Sequence, residues 1–191
     1  RAVLVWHRRA GKDVVALRYA VRAMATRPGL YWHMLPTATQ GRKVLWDGMG
    51  ADGRRFLDIA FPRAERRSSN AAEMKIELKN GAIWQVVGSD NYDRLVGANP
   101  VGVVMSEYSL ADPAAWDFVR PILAENGGWA IFPYTPRGRN HGYRLYQMAL
   151  GNENWFADHQ PVDKTAAIPM EAVEEERRAG MPEELVQHEF F

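Results

Sequence analysis

The first thirteen residues constrain this chain more than any others. A short apolar run, Ala2-Val3-Leu4-Val5, reads as a buried strand. It leads into Trp6-His7-Arg8-Arg9-Ala10-Gly11-Lys12-Asp13, and then into Val14-Val15-Ala16-Leu17 and Tyr19-Ala20-Val21, which read as a helix packed on that strand. A Gly-Lys at a strand–helix junction is where a phosphate-binding loop belongs. Backbone N–H groups at a helix N-terminus point at an anion, and a lysine ammonium adds a point charge near β/γ-phosphates. The full pattern opens on Gly and places Ser or Thr after the lysine; those positions hold Trp6 and Asp13. From this segment alone, a nucleotide loop and an ordinary strand–turn–helix with a surface lysine are equally supported.

At 191 residues the chain has room for one well-cored domain and an appendage. Apolar content of 47% and aromatic content of 11% fit a globular protein and argue against disorder. The lack of cysteine excludes a disulfide framework and any thiolate metal site. No apolar run approaches membrane-spanning length and no signal-peptide pattern is present, so no membrane association is expected. The chain starts inside a strand without Met, as an excised piece of a longer protein would. A net charge of +1 conceals an asymmetry. Arg1, Arg8, Arg9, Lys12, Arg18, Arg22, Arg27, Arg42, Lys43, Arg54 and Arg55 face only Asp13, Asp47, Asp52 and Asp58 over residues 1–60, whereas Glu dominates from Glu171 onward. A basic N-terminal half suits phosphate partners, nucleotide or nucleic acid.

Further along, Leu30–Leu35 is a second apolar strand closed by Pro36, and Thr37 is placed to cap a helix running through Gln40, Lys43, Val44 and Trp46. Residues 52–70 read as a connector. Met74–Leu78 and Ile83–Val87 are strands joined by an Asn80-Gly81 turn. Val101–Met105 and Trp129–Phe132 are continuous apolar strands, with helices over Ala111–Ala124 and His141–Leu150. Such alternation implies an α/β fold with a mostly parallel central sheet and helices on both faces. Beyond it, Met170–Ala179 and Pro182–His188 read as two short acidic helices. The expected division is a core over residues 1–151 and a small helical linker subdomain over 152–191. Trp46, Trp84, Trp116 and Trp129 sit among apolar residues and read as core. The five histidines lack metal-ligand spacing, and no nucleophile-elbow motif occurs.

Ligands of open α/β sheets bind at the C-terminal ends of the strands. Leaving the first strand are Arg8, Arg9, Ala10, Gly11, Lys12 and Asp13; leaving the Val101–Met105 strand are Ser106, Glu107 and Tyr108; leaving the Trp129 strand are Thr135, Pro136, Arg137, Gly138 and Arg139. In a nucleoside triphosphatase the second place holds a metal-organising acid and a water-orienting glutamate, and the third a polar sensor of the γ-phosphate. Glu107 alone could be a solvated helix-entry acid and Thr135 alone a strand-end cap. Suitable residues at all three strand ends favour a P-loop NTPase.

These segments also resemble a family. His7-Arg8-Arg9-Ala10-Gly11-Lys12, Val103-Val104-Met105-Ser106-Glu107-Tyr108 and Tyr134-Thr135-Pro136-Arg137-Gly138-Arg139-Asn140-His141 look like the ATPase motifs of the large terminase subunits of tailed bacteriophages. The likeness extends over nearly the whole chain, including Trp155 and an Ile168-to-Phe191 tail similar to the family's linker between motor and nuclease. The resemblance implies an ATP- and Mg²⁺-dependent motor that drives double-stranded DNA into a procapsid. It further implies a homo-oligomeric ring docked on the portal in the host cytoplasm, with a small terminase subunit as partner. It places the adenine-contacting segment before Arg1 and a nuclease after Phe191. By the same resemblance, Arg8, Arg9, Ala10, Gly11, Lys12 and Asp13 would form the nucleotide loop. Lys12 would hold the β/γ-phosphates, Arg8 would stabilise charge on the γ-phosphoryl group, Glu107 would orient water, and Thr135 would couple hydrolysis to movement. Pro36-Thr37-Ala38-Thr39-Gln40 resembles the region after the second strand in related nucleic-acid motors, and equally a simple helix cap.

The sequence departs from that pattern in three places. Asp13 stands where Ser or Thr usually ligates Mg²⁺, and Ser106 stands where an acid usually precedes the catalytic glutamate. The two groups have changed places, which predicts that both serve the metal, with Ser106 hydrogen-bonded to Asp13; the alternative is that Asp13 merely caps the helix. The third departure is Val96 before Gly97, where many family members carry an arginine that acts on a neighbouring subunit. Arg94, Arg137 and Arg139 are the alternatives. Other functions compatible with the pattern are a helicase-like ATPase and a nucleotide-binding module without turnover.

Overall fold

In the computed structural model, which describes residues 1–50 and 52–191, the chain runs β1 (Ala2–Trp6), α1 (Lys12–Thr26), β2 (Leu30–Leu35), α2 (Ala38–Gly41) and a π-type turn over Arg42–Trp46. Then come α3 (Phe56–Ala60), β3 (Arg66–Asn70), β4 (Lys75–Leu78), β5 (Ile83–Gly88), β6 (Pro100–Met105), α4 (Pro113–Glu125), β7 (Trp129–Tyr134), α5 (His141–Leu150) and β8 (Phe156–Gln160). Three short helices close the chain: α6 (Val162–Thr165), α7 (Met170–Arg178) and α8 (Glu183–Phe190).

The two-residue alternation of the strands decides the layering. Val3 and Val5, Trp32 and Met34, Val103 and Met105, and Phe132 and Tyr134 face one side, where Ala115, Trp116, Val119 and Leu123 of α4 and Leu145 and Ala149 of α5 cover them. Residues of opposite parity, among them Leu4, Val104 and Ile131, meet Ala16 of α1. Tyr31, Leu35, Trp84 and Val86 pack against Leu17 and Met24 of α1 and Leu57 of α3. Strands buried on both faces lose their polar positions, which is why β2 and β6 read as unbroken apolar runs.

The eight strands lie in the order β3-β4-β5-β2-β6-β7-β1-β8. From β5 to β8 all neighbours are parallel, while β3 and β4 fold back antiparallel at one edge. This is the α/β arrangement expected, with β7 inserted between β6 and β1. The C-terminal ends of β6, β7 and β1 therefore stand side by side, and the three segments singled out above converge there.

Several expectations hold in detail. Thr37 forms a capping box with Gln40, its hydroxyl accepting from the Gln40 N–H at 3.2 Å. Gly81, at φ 87°, supplies the left-handed residue of the β4–β5 turn. Trp46, Trp84 and Trp116 are buried in the core. Two readings need correction. Residues 52–70 hold α3, a 3₁₀ turn and edge strand β3 rather than a bare connector. The signal is weak because β3, Arg-Arg-Ser-Ser-Asn, is exposed along nearly its whole length and carries no apolar alternation. β8 is an addition to the expected strands; it pairs with β1 from Ala2↔Phe156 to Trp6↔Gln160, on the outer edge, where polar Asp158, His159 and Gln160 are tolerated. The helices that follow have a small core of their own, Val162, Val173 and Val186, with Ile168, Met181, Phe190 and Phe191 against it.

Candidate active site

The loop after β1 is built to leave backbone donors unspent. Arg9 (φ 62°) and Gly11 (φ 80°) take left-handed conformations that turn the chain sharply into α1. Gly11 is the N-cap and offers no side-chain cap, so the N–H groups of the first turn face outward with the positive end of the helix dipole. His7 anchors the start of the loop. It is buried, its Nδ1 lies 2.6 Å from the Arg8 carbonyl oxygen and its Nε2 2.6 Å from Thr165 Oγ1 of α6. Burial lowers its pKa, as does the nearby Lys12 charge, against an opposing pull from the Arg8 hydrogen bond.

Lys12 turns inward. Its side chain is only 6% exposed, with Nζ donating to Thr135 Oγ1 at 2.9 Å and lying 3.1 Å from Glu107 Oε1. One ammonium thus joins all three strand ends. Glu107, after β6, adopts a left-handed backbone (φ 51°, ψ 43°) that few residues other than glycine take. It is held there by its own N–H to the Pro133 carbonyl and by the Leu110 N–H to its carbonyl, both 2.8 Å. A strained backbone fixed from both sides is a recurrent way of aiming a reacting side chain. Its carboxylate remains 29% exposed, open to water and to a ligand.

The Glu107 and Thr135 loops are laced together. Ser109 Oγ donates to the Thr135 carbonyl at 2.9 Å, Asn140 Nδ2 donates to the Ser109 carbonyl at 2.8 Å, and His141 Nε2 lies 2.6 Å from the Tyr108 carbonyl. Asn140 also caps α5, its Oδ1 accepting from Gly142 N–H and Tyr143 N–H. Asn140→Ala removes the cap and the cross-loop bond together. It is expected to cost about 1–2 kcal/mol, seen as a lower urea midpoint with an unchanged slope; an unchanged midpoint would show that the lacing carries no weight.

Asp13 and Ser106 meet as the sequence predicts: Ser106 Oγ donates to Asp13 Oδ1. Ser106 is 1% exposed and its N–H donates to the Met34 carbonyl at 2.8 Å. A cleft of about 460 Å³ opens beside the loop, with Gly11, Lys12 and Asp13 at one end and Val14, Leu17, Val44 and Phe56 at the other.

The remaining arginines are placed differently from one another. Arg8 does not lie over the loop: its guanidinium pairs with Glu189 of α8, and its N–H donates to the Glu189 carbonyl at 2.8 Å. Arg137 reaches the same buried carboxylate at 3.0 Å. Arg139 lies over the Tyr143 ring, 5.9 Å from its centroid. Arg94 sits in a 3₁₀ segment over Ser89–Leu95, between β5 and β6. Glu189, Thr165 and Ser109 escape a sequence reading because no local spacing links them to the loops they hold; Arg8 and Glu189 are 181 positions apart.

A strand–loop–helix with a buried lysine, an acid after the second strand along and a hydroxyl after the intervening strand is the core of a P-loop nucleoside triphosphatase. Known proteins narrow that class. No family model matches the chain. The large terminase subunit of Escherichia phage T5 is 27% identical over 114 residues, covering 57% of this chain, and that of Thermus phage G20c is 26% identical over 165 residues, covering 78%. The matches span 26% and 33% of those two proteins, so the chain corresponds to about a quarter to a third of their length. Among solved structures, the large terminase ATPase domain of Thermus phage P74-26 superposes with a TM-score of 0.79 at 21% identity, over 100% of this chain and 86% of that one. The large terminase of another thermophilic bacteriophage, in complex with ADP, gives 0.71 at 19% identity, over 95% of this chain and 45% of that one. The fold is that of a phage large terminase ATPase domain, and the resemblance read from the motifs is borne out.

Proposed function

We propose that the chain is the ATPase motor domain of a phage large terminase, hydrolysing ATP to drive DNA into a procapsid. The observation that carries this is Lys12, whose ammonium sits between Glu107 and Thr135 at the uncapped N-terminus of α1. A triphosphate entering the cleft would meet the first-turn N–H groups and Lys12 with its β/γ end. Glu107 would orient the attacking water, and Thr135, which shares Lys12, would register the state of the γ-phosphate. Arg8, Arg9, Ala10, Gly11, Lys12 and Asp13 form the loop, with Arg8 supplying charge to the γ-phosphoryl group once it leaves Glu189. The ADP complex of the thermophilic-phage relative supports a nucleotide in this fold.

The donor set at Asp13 and Ser106, a carboxylate and a hydroxyl, suits a hard divalent cation, and Mg²⁺ would supply charge neutralisation on the β/γ oxygens. Among the described residues no cluster of three or more His, Cys, Asp or Glu exists, so nucleotide oxygens would complete the shell. We take residues 1–151 as the ATPase core and 152–191 as the linker subdomain leading to a nuclease, with β8 of the latter segment completing the sheet. Double-stranded DNA, a homo-oligomeric ring, the portal and a small terminase subunit are the partners this reading assigns, in the host cytoplasm. No helix among the described residues is long and apolar enough to cross a membrane.

A motor that grips any sequence does so through phosphates. DNA-stimulated ATP turnover by the full-length protein is expected, with DNA affinity falling at least about 10-fold between about 50 and 200 mM salt and showing no base preference. Salt-independent or sequence-selective binding by the assembled protein would count against a packaging motor. Absence of turnover would leave a nucleotide-binding module.

A further inference from the structure

In P-loop NTPases generally, a hydroxyl after the loop lysine binds Mg²⁺ and a carboxylate on the neighbouring strand supports it. Here the helix contributes the carboxylate and the strand the hydroxyl, and the two are hydrogen-bonded across the site. Asp13 is not spent on capping, since Gly11 is the N-cap and no side chain caps α1. Ser106 is immobilised at the end of β6 by its bond to Met34 and by burial, so it fixes the carboxylate's orientation rather than following it.

Resting on the ATPase reading, we propose that the exchange makes nucleotide binding obligatorily metal-coupled: Asp13 is the metal's protein ligand, Ser106 orients it, and the site rejects metal-free triphosphate. The cause is electrostatic. An ordinary loop places one cation and a neutral hydroxyl at the phosphates, and the acid stands further back. This loop places Asp13 in the first turn next to Lys12, while Glu107 already pairs with that ammonium. Lys12, Asp13 and Glu107 together carry one net negative charge toward a polyanion. A carboxylate about 5 Å from a phosphate, at an effective dielectric near 20, weakens binding of the metal-free nucleotide by roughly 100-fold. A divalent cation held by the same carboxylate reverses that sign. The hydroxyl of the usual arrangement exerts no such repulsion.

The test is equilibrium binding of a non-hydrolysable ATP analogue to the full-length protein, titrated in Mg²⁺ and in EDTA, with circular dichroism verifying the fold of each variant. The native protein is expected to bind at least about 100-fold more weakly in EDTA. Asp13→Asn, nearly isosteric, should bind the analogue better than the native protein in EDTA and worse in Mg²⁺, collapsing the ratio to below about 10-fold. Asp13→Thr should weaken Mg²⁺-dependent binding, Ser106→Asp should do so by crowding two carboxylates, and the double variant should recover part of both losses. An unchanged Mg²⁺/EDTA ratio in Asp13→Asn, or additive losses in the cycle, overturns the exchange while tight Mg²⁺-dependent binding leaves the ATPase reading standing. Failure of the native protein to bind the analogue with Mg²⁺ overturns both.

Discussion

Lys12→Ala is expected to abolish ATP turnover, by at least about 1,000-fold, and to weaken nucleotide binding by at least about 10-fold. The side chain is buried, and it is the cation that joins the first turn of α1 to both Thr135 and Glu107. Its removal leaves two losses in one place. The phosphates lose their point charge where water is excluded and Coulomb terms are largest. Glu107, deprived of its ion pair, becomes an uncompensated acid beside an incoming polyanion. The second loss gives the variant a signature that a surface lysine cannot give. In Lys12→Ala/Glu107→Gln the binding defect should be smaller than in Lys12→Ala alone, since the uncompensated charge is gone. Turnover by the Lys12→Ala full-length protein at the native rate would return the segment to an ordinary strand–turn–helix.

The parts of this molecule that are legible in its sequence are those where a residue's neighbours in space are also its neighbours in pattern. Strands β2, β6 and β7 announce themselves because burial on both faces removes nearly every polar position. The boundaries of α5 follow from Asn140 and Gly151, a cap and a stop. The strand-end rule then places Lys12, Glu107 and Thr135 together without any structure, because in a parallel sheet the C-terminal ends share one edge. Even the Asp13–Ser106 bond is readable, as a pair of substitutions each of which makes sense only given the other. Elements held by distant partners are not legible. Edge strands β3 and β8 have one neighbour each and keep polar residues, so periodicity has little to act on. Glu189 looks like one acid among many in a tail rich in Glu; only the fold reveals that it is buried and shared between Arg8 and Arg137. The resting position of Arg8 follows from the same contact. A guanidinium next to a phosphate loop reads as a phosphate ligand, whereas here the C-terminal helix holds it.

Glu107→Gln should separate binding from chemistry. The amide has the shape of the carboxylate and sits on the same backbone, whose left-handed turn is fixed by main-chain bonds to Pro133 and Leu110 that the substitution leaves intact. The fold and the position of the side chain should therefore persist, and thermal stability should change little. Loss of the charge has two consequences of opposite sign. Lys12 no longer shares its ammonium with an acid and is wholly available to the phosphates, so the affinity for Mg²⁺·ATP should hold or rise by a few fold. The attacking water, in contrast, loses the negative oxygen that accepts its hydrogen and orients its lone pair, and an amide oxygen is too weak a base to replace it. Turnover should fall by about 10²–10⁴-fold at saturating ATP, with KM unchanged or lower. Such a variant would accumulate the ATP-bound state, visible as a stoichiometric complex that survives gel filtration in Mg²⁺. Were binding lost while turnover per bound ATP stayed native, Glu107 would be a structural partner of Lys12, and the water-orienting role would have to pass to another group at the same strand ends.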